Sequence, residues 1–216
     1  MEFFLDSIDY SEIKKYQDIG IINGVTTNPT LMAHSEKGFY ETAERICDLV
    51  TGDVSIEAAA TAYDEMLIEG YKILKIASNV VLKLPMTWDG LKTCRFYVEK
   101  GRKINMTLCF SANQALLAAK CGATYISPFV GRLDDIGLDG MQLIMDIRSI
   151  YNNYDFKTKI LAASIRTMEH VTEAALYGSD VATMSPQILS QLVEHDLTNQ
   201  GLKKFSDDWA NSGMKI

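Results

Sequence analysis

Short apolar runs alternate along the chain with longer stretches in which apolar residues recur every three or four positions. The short runs are rich in β-branched and aliphatic residues and are nearly continuous, as strands buried on both faces require. This alternation is typical of repeated strand–helix units around a parallel sheet. We therefore predict eight strands, at 3–6, 24–26, 54–57, 80–83, 104–107, 125–127, 159–163 and 181–184.

The segments between these strands have the pattern of amphipathic helices. Leu91, Cys94 and Val98 share one helical face. Thr87 and Thr167 stand where a side-chain oxygen can cap the first turn of a helix. Helices of this kind cover the outside of a closed parallel sheet, so the pattern predicts an α/β protein with the (β/α)8 barrel fold.

The chain continues beyond the eighth strand–helix unit. A helix is predicted at 186–194, and Leu202, Phe205 and Trp209 then recur at helical spacing in a segment at about 198–211. The barrel does not need this additional C-terminal helix in order to close. The helix packs either on its own barrel or on a neighbouring subunit, and its spacing leaves both alternatives open.

Length and composition agree with one barrel. The 216 residues leave too little chain for two domains with separate large cores. No Pro-rich or Gly-rich linker interrupts the chain, so we expect a single domain at 1–216. With 47% hydrophobic and 23% charged residues, the composition is that of a soluble globular protein.

Charge and hydropathy exclude several classes of partner. The formal net charge is -7 and no basic run is present, which argues against a nucleic-acid partner. No apolar stretch approaches the roughly 20 residues that span a bilayer, and the first six residues lack the basic and apolar regions of a signal peptide. We therefore expect a cytoplasmic protein without a membrane partner.

The residues that most often bind metals show no metal-binding spacing. The four cysteines lack a C-x-x-C pair, and the three histidines are scattered along the chain. A chain of this size does not need disulfides to fold, so reduced and mostly buried thiols are expected. We predict no metal site.

Polar side chains stand at the carboxyl end of most predicted strands or directly after it. In a barrel of this type the catalytic groups gather at that end. Taken alone, each such residue more often faces solvent or caps a helix, but the convergence of so many predicts an active site. These residues are Asp6, Thr26, Asn28, Glu57, Lys83, Asn105, Thr107, Ser127, Ser164 and Arg166.

Lys83 is the most informative of them, because it stands inside an apolar strand and points the same way as Val81. Desolvation lowers the pKa of a lysine, and the neutral amine can attack a carbonyl carbon. Asp6 and Glu57 would supply carboxylates for proton transfer beside it. The alternatives are a lysine that reaches out to water and an ion pair that merely compensates charge.

A phosphorylated substrate follows from the basic residues near strands six and seven. Arg132 lies after strand six, and Ser164 and Arg166 lie after strand seven. Guanidinium groups bind phosphate oxygens in a fork geometry, and barrels of this type often hold phosphate at the loops after strands seven and eight. We therefore expect a phosphorylated substrate.

Several longer motifs resemble one family. They are GVTTNPTL at 24–31, VLKLP at 81–85, NMTL at 105–108, ISPFVGR at 126–132 and ASIR at 163–166. Together they are similar to the transaldolase family, in particular to its small-subunit branch that includes fructose 6-phosphate aldolases. Thr30, where serine is common, and Ile165, where phenylalanine is frequent, depart from the family pattern without removing a chemical group.

The resemblance implies a role for each residue. Lys83 would be the covalent nucleophile, Asp6 the general acid and base, and Glu57 and Thr107 would hold a proton-shuttling water. No metal and no organic cofactor would be needed. The resemblance also implies a substrate-binding set comprising Thr26, Asn28, Asn105 and Ser127 at the dihydroxyacetone part, Phe129 beside them, and Arg132, Ser164 and Arg166 at the phosphate.

Two residues favour transfer over cleavage. Fructose 6-phosphate aldolases tend to carry glutamine where this chain has Glu57 and tyrosine where it has Phe129. The resemblance thus implies a transaldolase of the non-oxidative pentose phosphate pathway. It would pass dihydroxyacetone from sedoheptulose 7-phosphate or fructose 6-phosphate to glyceraldehyde 3-phosphate or erythrose 4-phosphate. The alternative is an aldolase that releases dihydroxyacetone and glyceraldehyde 3-phosphate from fructose 6-phosphate.

The resemblance also implies a ring-shaped homo-oligomer, such as a decamer, in which the C-terminal helix reaches a neighbour. Two other functions remain as alternatives. A barrel that only binds sugar phosphate as a sensor would not need Lys83, Asp6 and Glu57 together, since buried charges cost stability. An isomerase with a carboxylate base would not explain a lysine inside strand four.

Overall fold

The computed structural model describes residues 1–215 and has eight parallel strands that close into one barrel in chain order. The predicted (β/α)8 fold is confirmed, and each strand lies within two residues of its predicted bounds. The strands are β1 Glu2–Asp6, β2 Gly24–Thr26, β3 Asp53–Glu57, β4 Val80–Pro85, β5 Ile104–Cys109, β6 Tyr125–Pro128, β7 Lys159–Ala162 and β8 Val181–Met184.

Helices follow the strands and cover the outside of the barrel. Thr87 and Thr167 cap helices as predicted, each accepting a backbone N–H three residues ahead. The helices are α1 Tyr10–Ile19, α2 Pro29–Ala33, α3 Phe39–Leu49, α4 Tyr63–Ile73, α5 Trp88–Val98, α6 Ala112–Lys120, α7 Val130–Asp134, α8 Gly140–Tyr154, α9 Met168–Leu176, α10 Pro186–Gln191 and α11 Asp196–Ser212.

The boundary between the last two helices differs from the prediction. Helix α10 ends at Gln191, so the predicted extent of 186–194 was too long. The chain turns at Leu192 and Val193 because α11 already begins at Asp196, where the His195 side chain accepts the Leu197 N–H as an N-cap. Helix α11 is correspondingly longer than the predicted 198–211.

Two apolar cores hold the barrel together. The larger one lies between the sheet and the surrounding helices. The smaller one fills the barrel itself with Phe4, Val81, Tyr125, Leu161 and residues adjacent to them. Burying one such aromatic or aliphatic side chain contributes about 1.5–3 kcal/mol.

Gly24 allows the inner core to form. A Cβ at Gly24 would lie 2.7 Å from the Phe4 ring and 2.5 Å from the backbone oxygen of Asp53. Both contacts are too short for real atoms, so only glycine lets the Phe4 ring lie against β2. The glycine at the start of the GVTT segment therefore has a packing function in this chain.

Charged pairs lie at the amino-terminal ends of the strands. Asp53 accepts hydrogen bonds from Lys103 at 2.7 Å and from the Tyr125 hydroxyl at 2.8 Å. Lys159 lies 2.9 Å from Glu2. These groups lie at the amino-terminal end of the barrel, next to its apolar interior. The predicted site residues lie at the opposite, carboxyl ends of the strands.

Helix α11 presents its apolar stripe to solvent. Its residues are all exposed or half-buried, and Leu202, Phe205 and Trp209 are 63%, 70% and 45% exposed. The stripe therefore does not pack on its own barrel in this chain. Within residues 1–215, no helix has both the length and the apolar character that crossing a bilayer requires.

The cysteines match their expected state. Cys47, Cys94 and Cys109 are buried, Cys121 is half-buried, and all four are free thiols. Burial raises the pKa of Cys47, Cys94 and Cys109 to about 12. These thiols therefore act as small apolar side chains in the core.

Candidate active site

A cavity of about 510 Å³ opens at the carboxyl ends of the strands. It gathers residues from all eight strands or the loops that follow them, as expected for a barrel of this type. The lining residues are Asp6, Thr26, Asn28, Pro29, Thr30, Leu31, Glu57, Lys83, Leu108, Ser127, Phe129, Arg132, Ala163, Ser164 and Thr183.

Lys83 lies at the bottom of this cavity and is only 5% exposed. Its Nζ lies 3.0 Å from Oε2 of Glu57 and donates a hydrogen bond of 2.9 Å to the backbone oxygen of Thr27. The strand register places Glu57 on β3 directly opposite Lys83 on β4, which makes the contact a property of the sheet. A buried ammonium is costly without such partners.

Asp6 lies at the end of β1 and is held by a neighbouring threonine. Thr26 donates a hydrogen bond of 2.7 Å to Oδ1 of Asp6, and the two residues are paired in register. Burial raises the pKa of Asp6 above its ordinary value, while the hydrogen bond from Thr26 and the charge of Lys83 oppose that rise. Asp6 is therefore a carboxylate whose ability to accept a proton is increased by its surroundings.

The loop after β2 contributes a backbone carbonyl and a helix-capping side chain to the site. The Thr27 hydroxyl donates to the backbone oxygen of Ser55 at 2.9 Å, which orients the Thr27 carbonyl that accepts from Lys83. The Asn28 side chain accepts the Leu31 N–H at 2.9 Å and caps α2, whose first residue is Pro29. The motif thus places one carbonyl and one amide at the cavity.

Asn105 and Ser127 form a buried polar pair beside Lys83. The Ser127 hydroxyl donates to Oδ1 of Asn105 at 2.8 Å, and Nδ2 of Asn105 donates to Ser55 at 3.2 Å. Both polar atoms of the Asn105 amide are thus paired with serine hydroxyls inside the barrel. Asn105 is fully buried behind the lining residues, whereas Ser127 faces the cavity.

Thr107 is buried without a hydrogen-bond partner among residues 1–215. It alternates along β5 with Ile104 and Met106, which belong to the outer core, so its side chain faces the inside of the barrel. A buried hydroxyl that lacks a partner costs stability. Thr107 therefore offers an oxygen that a bound molecule can satisfy.

Two residues at the cavity have a backbone conformation that is unusual for non-glycine residues. Leu108 has φ 59° and Ser164 has φ 58°. At Leu108 the pairing of β5 with β6 shifts register, which marks an irregularity between Met106 and Cys109. Such strain concentrates at functional sites, and here it falls on two residues that line the cavity.

Phe129 and Arg132 form the wall on the side of β6. The Arg132 guanidinium lies 4.9 Å from the centre of the Phe129 ring, and Phe110 contacts the same ring edge-on at 5.9 Å. Stacking on the ring orients the guanidinium. Arg132 and Ser164 line the same cavity.

Arg166 makes a different contact from the one predicted for an anion site. Its guanidinium forms a two-pronged ion pair with Asp135, with one hydrogen bond of 2.7 Å from Nη2 to Oδ2. Arg166 is exposed and does not line the cavity. Asp135 raises the pKa of Arg166, and Arg166 lowers that of Asp135.

Gly131 brings the Arg132 segment against the Arg166 loop. A Cβ at Gly131 would lie 2.3 Å from the backbone oxygen of Ser164 and 2.9 Å from Nε of Arg166. The Gly131 N–H instead donates to that oxygen at 3.2 Å. Glycine here permits α7 and the loop after β7 to lie side by side.

The structure brings most of the predicted residues together. Asp6, Thr26, Asn28, Glu57, Lys83, Ser127, Phe129, Arg132 and Ser164 line one cavity. Asn105 and Thr107 lie buried behind it, and Arg166 lies outside it on Asp135. Sequence reasoning missed Thr183, Leu108 and Asp135. Only Thr183, a polar residue within an apolar strand, carried a signal that could have identified it.

The residues of the cavity suit organic chemistry better than metal binding. Within residues 1–215, no group of three or more His, Cys, Asp or Glu side chains lies close enough to hold a metal ion. The cavity instead combines an amine, two carboxylates, several hydroxyls and a guanidinium. This arrangement can form a covalent bond to a carbonyl carbon and move protons around it.

Comparison with known proteins extends this similarity over the whole chain. The family described as Transaldolase/Fructose-6-phosphate aldolase matches residues 3–216. A protein named probable transaldolase from Brucella ovis is 56% identical over 216 residues, which is 100% of both chains. Proteins of the same name from Dinoroseobacter shibae and from Chelativorans sp. are 54% and 53% identical, again over 100% of both chains.

Proposed function

This chain belongs to the transaldolase/fructose-6-phosphate aldolase family, and from that premise we propose that it is a transaldolase whose Lys83 forms a Schiff base with a ketose phosphate. The observation that carries the proposal is the buried amine of Lys83, 3.0 Å from a carboxylate and at the bottom of a polar cavity. It is the only lysine among the residues that line this cavity in the described chain.

The first stage is attack on the substrate's ketone. Glu57 takes a proton from Lys83, and the neutral amine forms a bond to the carbonyl carbon, C2. Proton transfer gives a carbinolamine, whose hydroxyl leaves as water to give an iminium ion. Glu57 is placed to return the proton that this departure needs, because its Oε2 is already 3.0 Å from Nζ.

The second stage breaks the bond between C3 and C4. Asp6 removes the proton of the C4 hydroxyl, the C4 oxygen becomes an aldehyde, and the electron pair of the broken bond moves onto the iminium nitrogen. An enamine of dihydroxyacetone stays on Lys83 while the aldose phosphate leaves. The raised pKa of Asp6 supports this role, since a carboxylate buried in this way accepts a proton more readily.

The third stage reverses these steps with a different aldose phosphate. C3 of the enamine attacks the aldehyde carbon of the acceptor, and Asp6 returns its proton to the new hydroxyl oxygen. Water then adds to the iminium carbon, and the ketose product leaves Lys83. We assign Glu57 and Thr107 to this water, and the unpaired buried hydroxyl of Thr107 supports the assignment.

The remaining polar residues would bind the two ends of the substrate. Thr26, Asn28 and Ser127 surround Lys83 and would contact the dihydroxyacetone hydroxyls, with Asn105 holding Ser127 in place. Arg132 and Ser164 would bind the phosphate at the opposite side of the cavity. Arg166 would join them by leaving Asp135, because a phosphate dianion attracts a guanidinium more strongly than an exposed carboxylate does.

We propose that Phe129 favours transfer of the dihydroxyacetone unit over its release. A tyrosine hydroxyl at this wall would give water a hydrogen-bond partner near the enamine, and water would then release dihydroxyacetone. Phe129 has no such group, so the enamine can wait for an aldehyde. We therefore propose sedoheptulose 7-phosphate or fructose 6-phosphate as donors, and glyceraldehyde 3-phosphate or erythrose 4-phosphate as acceptors.

We further propose that the protein forms a homo-oligomer through α11. The exposed Leu202, Phe205 and Trp209 support this, because a solvent-facing apolar stripe of this size is unusual on an isolated chain. Light scattering of the purified protein would test the proposal, and a monomer at micromolar concentration would exclude it.

The Schiff base can be tested directly. Borohydride is added in the presence of fructose 6-phosphate, and the product is analysed by intact-mass and peptide-mass spectrometry. We expect a substrate-dependent adduct on Lys83 in the wild type and none in Lys83→Ala. Lys103→Ala is the matched control, because Lys103 pairs with Asp53 at the other end of the barrel. Turnover without an adduct on Lys83 would overturn the mechanism.

A further inference from the structure

Thr183 contacts Thr26 in the active site, although the proposed mechanism gives it no role. It lies on β8 and is 5% exposed, and it lines the cavity. Its Oγ1 lies 2.6 Å from Oγ1 of Thr26, which is a short hydrogen bond between two hydroxyls on strands that flank β1. Thr26 in turn contacts Asp6.

The direction of these bonds follows from counting protons. The Thr26 hydroxyl has one proton, and it donates that proton to Oδ1 of Asp6 at 2.7 Å. Thr26 must therefore accept in its contact with Thr183. The hydrogen bonds run from Thr183 to Thr26 and from Thr26 to Asp6.

We propose that Thr183 is a positioning residue for Asp6, acting through Thr26. This inference rests on the proposed function, because it assigns Thr183 to the base that breaks the C3–C4 bond. A hydroxyl that accepts one hydrogen bond donates a stronger one. Thr183 thus strengthens the bond from Thr26 to Oδ1 and fixes the rotamer of Thr26, which holds the Asp6 carboxylate in one orientation.

The hydrogen bonds from Thr183 to Thr26 and from Thr26 to Asp6 are the main uncharged influence on the Asp6 carboxylate. Neither β2 nor β8, the strands on either side of β1, carries an ionisable side chain, and α10, which packs against β1, carries none. The charged groups that face the same cavity are Lys83 from β4, Glu57 from β3 and Arg132 from α7. None of them contacts Thr183 by a hydrogen bond or ion pair within residues 1–215.

Thr183→Val tests the proposal because valine has the shape of threonine and lacks its hydroxyl. We expect kcat to fall about three- to tenfold, the size of one hydrogen bond, with little change in KM. The acidic limb of kcat/KM should move to higher pH. The sign follows because Asp6 acts as a base when ionised, and a weaker bond from Thr26 stabilises the carboxylate less.

Three controls separate this role from a structural one. Thr183→Ser keeps the hydroxyl and should recover most of the lost rate and the wild-type pH profile. Thr158→Val removes a buried threonine hydroxyl that donates to the Ala123 carbonyl at 2.7 Å, away from the cavity. That variant should lose thermal stability without a shift in the pH profile. Should Thr183→Val unfold, the comparison is made between Thr183→Ala and Thr183→Ser.

The outcome is distinguishable from failure of the proposed function. Borohydride trapping should give the same Lys83 adduct in wild type and Thr183→Val, because iminium formation precedes the step that uses Asp6. An unchanged kcat and pH profile in a variant that still forms the adduct would overturn the role of Thr183 alone. A wild type that turns over without the adduct would overturn the mechanism on which it rests.

Discussion

The amine of Lys83 and the carboxylate of Glu57 lie 3.0 Å apart at the bottom of the cavity, on adjacent strands whose register pairs the two residues directly. A charge-compensating ion pair and a proton-transferring pair have the same geometry in the free protein. They differ in what happens when the charge on one partner is removed, which makes Glu57 the residue to change first.

Glu57→Gln keeps the size and the hydrogen-bonding oxygen of the side chain and removes its ability to accept a proton. We expect kcat to fall by roughly 10²-fold or more, the usual contribution of a general acid or base. Iminium formation, measured as the rate of borohydride-trapped adduct, should slow in parallel. A purely compensating role predicts instead a loss of thermal stability with nearly normal turnover.

Glu69→Gln is the matched control for that variant. The Glu69 carboxylate accepts the backbone N–H groups of Ala59 and Ala60 at 2.8 and 2.9 Å and does not line the active-site cavity. Both bonds end on the same oxygen, Oε2, and the amide oxygen of a glutamine can accept both, so turnover should remain close to that of the wild type. An equal loss of activity in both variants would mean that the β3 loop has moved.

Asp6 should control the acidic limb of the pH profile. Burial raises its pKa above the ordinary value of 3.8, and the proposed mechanism needs the ionised form. We therefore expect kcat/KM to decline as the pH falls through that raised pKa, at a higher pH than an exposed aspartate would give. Asp6→Asn should abolish most turnover and still allow the Lys83 adduct to form.

The same pKa shift has a consequence for stability. Because the folded state binds the Asp6 proton more tightly than the unfolded state does, stability decreases as the pH rises from 3.8 through the raised pKa. Asp6→Asn should therefore raise the melting temperature at neutral pH, and the gain should vanish below pH 3.8. Melting curves across this range check the sign, and a destabilised variant at neutral pH would contradict it.

Phe129→Tyr should shift the reaction from transfer towards cleavage. Phe129 lines the cavity with Arg132 against its ring, so a hydroxyl added to this ring would give water a partner near the enamine. We expect the release of dihydroxyacetone from fructose 6-phosphate, relative to transfer onto erythrose 4-phosphate, to rise about tenfold, equivalent to one hydrogen bond. Both rates are measured on the same enzyme sample.

Phe110→Tyr is the control, because Phe110 contacts the Phe129 ring edge-on and does not line the cavity. Its hydroxyl should leave the ratio of cleavage to transfer unchanged. Wild type that already releases dihydroxyacetone faster than it transfers it would favour the aldolase alternative.

The barrel and most of its polar mouth could be predicted from the sequence for a physical reason. Strands buried on both faces are nearly continuous apolar runs, and a lysine such as Lys83 inside one of them is costly enough to be noticed. Glu57 follows from the register, since parallel strands present their ends at the same edge. Within the barrel, strand and helix ends differ from the prediction, at residues such as Pro85 and Gln191.

The features of the site that the sequence did not predict depend on contacts between residues that are far apart in the chain or on local backbone geometry. The left-handed backbone of Leu108 falls on a residue type that gives no turn signal. The bond between Thr26 and Thr183 joins strands that are 157 residues apart. The pairing of Arg166 with Asp135 depends on how closely Gly131 lets two loops approach.

The ion pair between Arg166 and Asp135 should affect phosphate binding. Asp135 holds the Arg166 guanidinium outside the cavity, so a substrate phosphate that recruits Arg166 must first break this exposed ion pair. Asp135→Asn removes the competing charge. Because exposed ion pairs contribute about 0–1 kcal/mol, we expect KM for sugar phosphates to fall by up to about fivefold, with kcat nearly unchanged.

Inhibition by inorganic phosphate separates this effect from a general change in the site. The inhibition constant should fall by the same factor as KM, because phosphate would use the same guanidinium. Asp155→Asn, which removes an exposed carboxylate paired with Lys157 far from the site, should change neither constant. A higher KM in Asp135→Asn would mean that Asp135 aligns Arg166 for phosphate instead of competing for it, and Arg166→Lys would then lose less affinity in that background than in the wild type.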